Sequence, residues 1–168
     1  MKRLIMSEDL KIMGMNIEHY MNMNNISNKT FSELAGYDRN GISKLLRGEK
    51  DLRLSTALRI SKVLNVDFYL LFSRSTFDDP DINTGYATSN PDYLSIFINN
   101  TYRLMNQRAV SQVDISRMAY DENGEAMISA EAINRILKNK VRDPHVQSLS
   151  IIAKALNTTL EVMFKKED

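Results

Sequence analysis

Asp78-Asp79-Pro80-Asp81 sets three carboxylates within four positions, a donor type that suits a hard cation. A calcium site also needs ligands at ordered intervals around a loop, and that spacing is absent here. The cluster reads as a solvated acidic stretch. Thiol chemistry, disulfides and thiolate zinc sites are excluded because the chain has no Cys. His19 and His145 are too few for a histidine metal cluster and pair with no evident nucleophile. No glycine-rich phosphate loop is present. These absences predict a protein that is not an enzyme, with no cofactor and no metal.

The cations are distributed more tellingly than their total. Net charge is only +1, but residues 14–74 carry nine Lys or Arg against six Asp or Glu, and residues 75–92 carry four acids and no base. Residues 93–168 are near balance, ten against nine. A polyanion needs one basic face and not a basic average, so the first half is where such a face would lie.

Two small domains fit within 168 residues, each near the lower limit for a self-sufficient core. Nine Gly and Pro together and 43% hydrophobic residues favour a mostly helical chain. No apolar run approaches the roughly 18 residues of a membrane span. The opening MKRLIMSEDLKIMGM has acids where a signal peptide would be apolar. A cytoplasmic location with no membrane partner is expected.

The elements follow from start and stop signals. Asn16 to Asn25 has Ile17, Tyr20 and Met21 at helical spacing. Ser27 then caps a second helix carrying Phe31, Leu34 and Ala35, which Gly36 ends. Eleven residues on, Asp38 caps a third helix, Arg39 to Arg47, with Ile42, Leu45 and Leu46 as its apolar stripe. A fourth helix opens at Ser55 or Thr56 and ends at Asn65, and Asp67 starts a short fifth carrying Phe68, Leu71 and Phe72.

The same unit is written twice. Leu54 to Phe72 aligns without gaps on Val146 to Phe164, with Ile60, Lys62, Leu64, Asn65 and Phe72 matching Ile152, Lys154, Leu156, Asn157 and Phe164. Upstream, Ile42 to Gly48 lies on Ile133 to Asn139, and Ser27 to Ala35 on Ser111 to Ala119. The register changes only where turns are expected, as in a drifted duplication. The expected second-unit helices are Tyr93 to Asn106, Ser111 to Ala119, Ser129 to Lys138, Val146 to Leu156 and Thr159 to Phe164. The predicted organisation is an N-terminal extension (1–13), a first unit (14–74), an acidic linker (75–92) and a second unit (93–168).

Ile26, Ser27, Phe31, Ser32, Ala35, Gly36, Tyr37, Asp38, Ile42, Ser43 and Gly48, followed by the Ile60 to Phe72 tail, fill a recognisable pattern. It resembles the helix-turn-helix domain of the Cro/CI, or XRE, family. Val110, Ser111, Gln112, Ile115, Ser116, Ala119, Ser129 and Ile133, with the run Ile152 to Asn157, repeat it. The resemblance implies an all-α fold of two tandem five-helix, lambda-repressor-like domains. It also implies a transcriptional regulator of the bacterial, phage or mobile-element repressor type that binds double-stranded DNA. In such a domain the third helix enters the major groove. The implied base readers are Arg39, Asn40, Ser43 and Lys44, whose donors suit guanine O6 and N7 or the adenine edge. The implied phosphate contacts are Asn28, Lys29, Arg47, Lys50 and Arg53. Gly41 departs from a good helix former at about 1 kcal/mol, and Met21 stands where the family often has Arg.

The second unit departs further. Its turn is seven residues longer and brings Asp121, Glu122 and Glu125 toward the expected contact edge, while its third helix opens Ala130, Glu131, Ala132. Carboxylates there oppose counterion release from DNA. Gln112, Asn134 and Arg135 are the contacts the resemblance still implies. Two functions therefore stand: a sequence-specific regulator, acting as an internal pseudo-dimer or as a homodimer joined by the second unit or by the Met-rich segment Met6, Met13, Met15, Met21 and Met23; or a protein-binding adaptor or inhibitor whose acidic second unit engages another protein.

Overall fold

The computed structural model describes residues 7–77 and 91–166, so most of the expected acidic linker, Asp78-Asp79-Pro80-Asp81 included, lies outside the described residues. Every named element is helical. In chain order they are α1 (Glu8–Met23), α2 (Asn28–Ala35), α3 (Arg39–Leu46), α4 (Leu54–Leu64), two 3-10 turns (Phe68–Phe72 and Arg74–Phe77), α5 (Tyr93–Arg108), α6 (Gln112–Met118), α7 (Ala130–Leu137), α8 (Val146–Ala155) and α9 (Leu160–Met163).

Local signals place most boundaries. Ser27 accepts from the Thr30 N–H at 3.1 Å, Asp38 from the Gly41 N–H at 2.6 Å and Ser129 from the Ala132 N–H at 3.0 Å, each satisfying an orphan donor of a first turn. Gly36 ends α2 in the left-handed region at φ 78. The left-handed stops recur at corresponding places in the two halves, at Asn25 and Ala109, Gly48 and Asn139, and Asn65 and Asn157.

Two expected starts differ. The first helix begins at Glu8, capped by Ser7, and runs through the expected boundary between residues 13 and 14. The reason is its buried stripe of Leu10, Met13, Ile17, Tyr20 and Met21, which continues upstream of the expected start. Gly14 lets this helix press onto α3: a Cβ there would lie 2.6 Å from the carbonyl oxygens of Leu45 and Leu46. α4 begins at Leu54 with no cap from its own N-cap residue, Arg53. Its cap comes from the other half, where the Asp143 carboxylate accepts from the Ser55 N–H at 2.9 Å and the Ser55 hydroxyl at 2.7 Å.

The halves share one core. Phe68, Phe72, Tyr93, Phe97 and Phe164 stack mostly edge-on or tilted, with Phe68 and Phe164 centroids 4.8 Å apart. Buried Asn16 donates to the carbonyls of Leu71 at 2.9 Å and Ser73 at 2.8 Å, and buried Asn100 to those of Met163 at 2.8 Å and Lys165 at 3.0 Å. Each amide satisfies carbonyls at the end of its half's last turn that would otherwise be buried and unpaired.

Candidate nucleic-acid interface

The α2–α3 corner is clamped through Ser32, whose carbonyl accepts from the Tyr37 N–H at 3.2 Å. The Ser32 hydroxyl, on α2, donates to the Tyr37 carbonyl immediately before the cap of α3. With Phe31, Ala35, Ile42 and Leu45 all buried beneath, the two helices are fixed at their crossing. The second half carries a matching clamp, the Ser116 hydroxyl donating to the Ile128 carbonyl at 2.7 Å, again just before a helix cap. Its seven extra residues loop outside this bond. They form a small hairpin, with Tyr120 bridged to Ala126 and the Asp121 carboxylate accepting from the Asn123 and Glu125 N–H groups.

On the outer side of α3, Arg39, Asn40, Ser43 and Lys44 are all exposed. Arg39 and Lys44 form no ion pair among the described residues, so their donors face solvent. Gly41 is buried, and a Cβ would lie 3.1 Å from the Asp38 carboxylate and 3.3 Å from the Tyr37 ring. Its place is thus explained by the cap packed over it. Asn28 and Lys29 are exposed at the head of α2, where the first turn's N–H groups and the helix dipole favour an anion. No acid occupies that first turn.

The remaining cations are distributed differently. Arg47 is exposed and pairs with Glu49 at 3.1 Å, an arrangement worth little in water and easily exchanged. Lys50 lies over the Tyr37 ring, 4.9 Å from its centroid, close to the α3 cap. Arg53 is exposed, and one nitrogen of its guanidinium donates to the Asp143 carbonyl at 2.9 Å, between the two halves. The residues that hold this seam escaped the sequence reading, though the repeat alignment pairs them.

The corresponding surface of the second half has a different sign. At the head of α6, Ser111 and Asp114 form a reciprocal capping box, and backbone and hydroxyl donors from Ser111 hold the Asp114 carboxyl below its usual range. That helix end therefore carries its own anion. Gln112 and Asn134 are half-buried, Arg135 is exposed, and Glu131 stands exposed in the first turn of α7. Glu122 is exposed on the hairpin, with Tyr120, Met118 and Met127 exposed beside it.

A clamped pair of short helices, the second presenting donors outward over a buried stripe, defines a helix-turn-helix protein. Comparison with known proteins agrees: the helix-turn-helix family model matches residues 17–71. Control protein C.SmaI of Serratia marcescens is 34% identical over 67 residues, which span 39% of this chain and 80% of that protein. The chain belongs to the helix-turn-helix family. No solved structure matches it. The family match lies wholly in the first half. No described helix is long and apolar enough to cross a membrane.

Proposed function

We propose that this DNA-binding helix-turn-helix protein is a sequence-specific transcriptional regulator of the repressor type, reading the major groove with α3. The observation that carries the reading is the open donor row Arg39, Asn40, Ser43 and Lys44 on a helix whose angle is fixed by the Ser32 clamp. Guanidinium and ammonium groups there reach guanine O6 and N7, and the Asn40 carboxamide suits adenine. Asn28 and Lys29 hold the phosphates flanking the groove, with Arg47 and Lys50 beyond the helix end. Arg53 adds a further phosphate contact with the donors left beyond its bond to the Asp143 carbonyl. The relative's name, control protein, fits a regulatory role.

The second half is read as a second helix-turn-helix domain in tandem. Its matching Ser116 clamp, left-handed stops and buried amide support this. Gln112, Asn134 and Arg135 are its remaining DNA contacts. A second reading, engagement of a protein by this half, is favoured by Met118, Tyr120 and Met127 exposed beside acidic Glu122. Selection from a random duplex pool tests the first reading: enrichment of one sequence, abolished by Arg39→Ala plus Lys44→Ala in a chain that still folds, is expected. Retention of the same enriched sequence by that double variant would overturn it.

A further inference from the structure

The contacts between the halves are reciprocal. The Leu54 N–H donates to the Pro144 carbonyl at 2.8 Å, and the Val146 N–H to the Leu52 carbonyl at 2.8 Å. The repeat alignment pairs Leu54 with Val146, and the same register carried three residues upstream pairs Arg53 with His145, Leu52 with Pro144 and Asp51 with Asp143, so these are one bond written in both directions. The Asp143 carboxylate caps α4 at the Ser55 N–H, and the Asp51 carboxylate caps α8 at the Gln147 N–H at 3.0 Å. Asp51 and Asp143 correspond, as do Ser55 and Gln147. Arg53 and His145, which also correspond, face each other in an antiparallel bridge, and the corresponding rings Phe72 and Phe164 meet at 5.7 Å. Residues that contact their own counterparts mark a two-fold axis, and mutual exchange of i and j is the signature of an isologous interface.

We infer that the chain is a covalent counterpart of a two-fold dimer and engages DNA as one chain per site, reading two unlike half-sites. The inference rests on the DNA-binding reading above. The repeat that pairs Ile42 to Gly48 with Ile133 to Asn139 places α3 and α7 as counterparts, so the axis that relates Arg53 to His145 relates these helices too. Duplex DNA has local two-fold axes, and helices related by such an axis engage successive major grooves when they stand one turn, roughly 34 Å, apart. The chain permits this: seven residues from Leu46 to Arg53 reach at most about 25 Å. The surface that a second copy would need at the seam is already filled, since Leu52, Leu54, Val146, Phe72 and Phe164 are buried by the chain's own other half. The two half-sites differ because the readers differ. Arg39, Asn40, Ser43 and Lys44 face one, whereas Asn134 and Arg135 beside Glu131 face the other. Discrimination is concentrated at the first.

Sedimentation of the free chain, then of the chain with the enriched duplex, tests this. The expected results are a mass of 19.3 kDa for the free protein, one chain per duplex, and an enriched sequence without palindromic symmetry. Arg39→Ala should relax preference in one half of the site about tenfold, and Arg135→Ala more weakly in the other half only. Two chains on a palindrome, or a free dimer, would overturn the single-chain inference while leaving α3 as reader. Absence of retention on any duplex at low salt would overturn the DNA reading itself, and the sites inferred from it, even with a monomeric free chain.

Discussion

The α2–α3 and α6–α7 faces sit on similarly clamped helix pairs and differ in charge. In the first half the head of α2 is free of acids and α3 turns four uncommitted donors outward. In the second, Asp114 neutralises the head of α6, Glu131 enters the first turn of α7, and a hairpin replaces the tight turn. Yet the clamp from Ser32 or Ser116, the amide of Asn16 or Asn100 and the left-handed stops are kept. Buried and backbone-satisfying positions dictate the fold; the solvent face is free to change sign without disturbing it.

The sharpest way to break this comparison is to ask whether the halves are separable. Phe164→Ala removes a ring that touches Phe68, Phe72, Tyr93 and Phe97 from both halves. A loss of about 3–5 kcal/mol is expected for such a truncation. Urea unfolding followed by amide exchange should show α3 losing protection together with α7. Unchanged protection in α3 would mean that the halves fold apart.

Next in size is Gly14→Ala. The position aligns with Ile98 in the second half, so the close approach of α1 to α3 that a glycine permits belongs to the first half. The new methyl would meet two backbone carbonyls that cannot swing aside. Thermal unfolding should report a loss of about 2 kcal/mol, within the usual range for overpacking. Affinity for DNA should fall as well, because α3 is what moves.

Reciprocal capping at the seam predicts smaller effects on both sides. Asp51→Ala and Asp143→Ala each remove a carboxylate that caps the opposite half's helix, at about 1 kcal/mol apiece. An unchanged denaturant midpoint in either variant would contradict capping across the seam.

The smallest effect marks where the symmetry fails. Asp9 on α1 is buried, accepts from the Ser150 hydroxyl at 2.8 Å and lies 3.6 Å from the Arg74 guanidinium. Burial raises its carboxyl above the usual range despite the lowering effects of Ser150 and Arg74. The folded chain therefore binds this proton more tightly than the unfolded chain. The resulting destabilisation is fully present above the folded pKa and disappears as pH falls toward the ordinary 3.8. Asp9→Asn keeps an acceptor for Ser150. It should melt slightly higher than the parent at neutral pH, with the gap closing on acidification.

These particulars also show what the sequence could reveal. Ser27, Asp38 and Ser129 are caps whose donors lie three residues away, so α2, α3 and α7 could be placed by inspection. The open row on α3 was legible for the same reason: its apolar stripe of Ile42 and Leu45 leaves the polar side outward. The start of α4 was not, because its cap, Asp143, is distant in sequence and belongs to the other half. The bond from the Arg53 guanidinium to the Asp143 carbonyl was likewise hidden, because its acceptor is distant in sequence. The opening helix starts eight residues before the expected Asn16, because Leu10 and Met13 extend its buried stripe upstream. Met13 and Met21 fill the core, while Met15 and Met23 are about half exposed, which separates a segment that composition alone treats as uniform.

Methylation interference on the enriched duplex examines the α3 face most directly. Methyl groups at guanine N7 lie in the major groove, and those at adenine N3 in the minor groove. Interference at guanine N7 in the strongly preferred half of the site, lost in Arg39→Ala plus Lys44→Ala at matched occupancy, is the predicted result. Interference confined to adenine N3, or an N7 pattern unchanged in that variant, would contradict reading by α3.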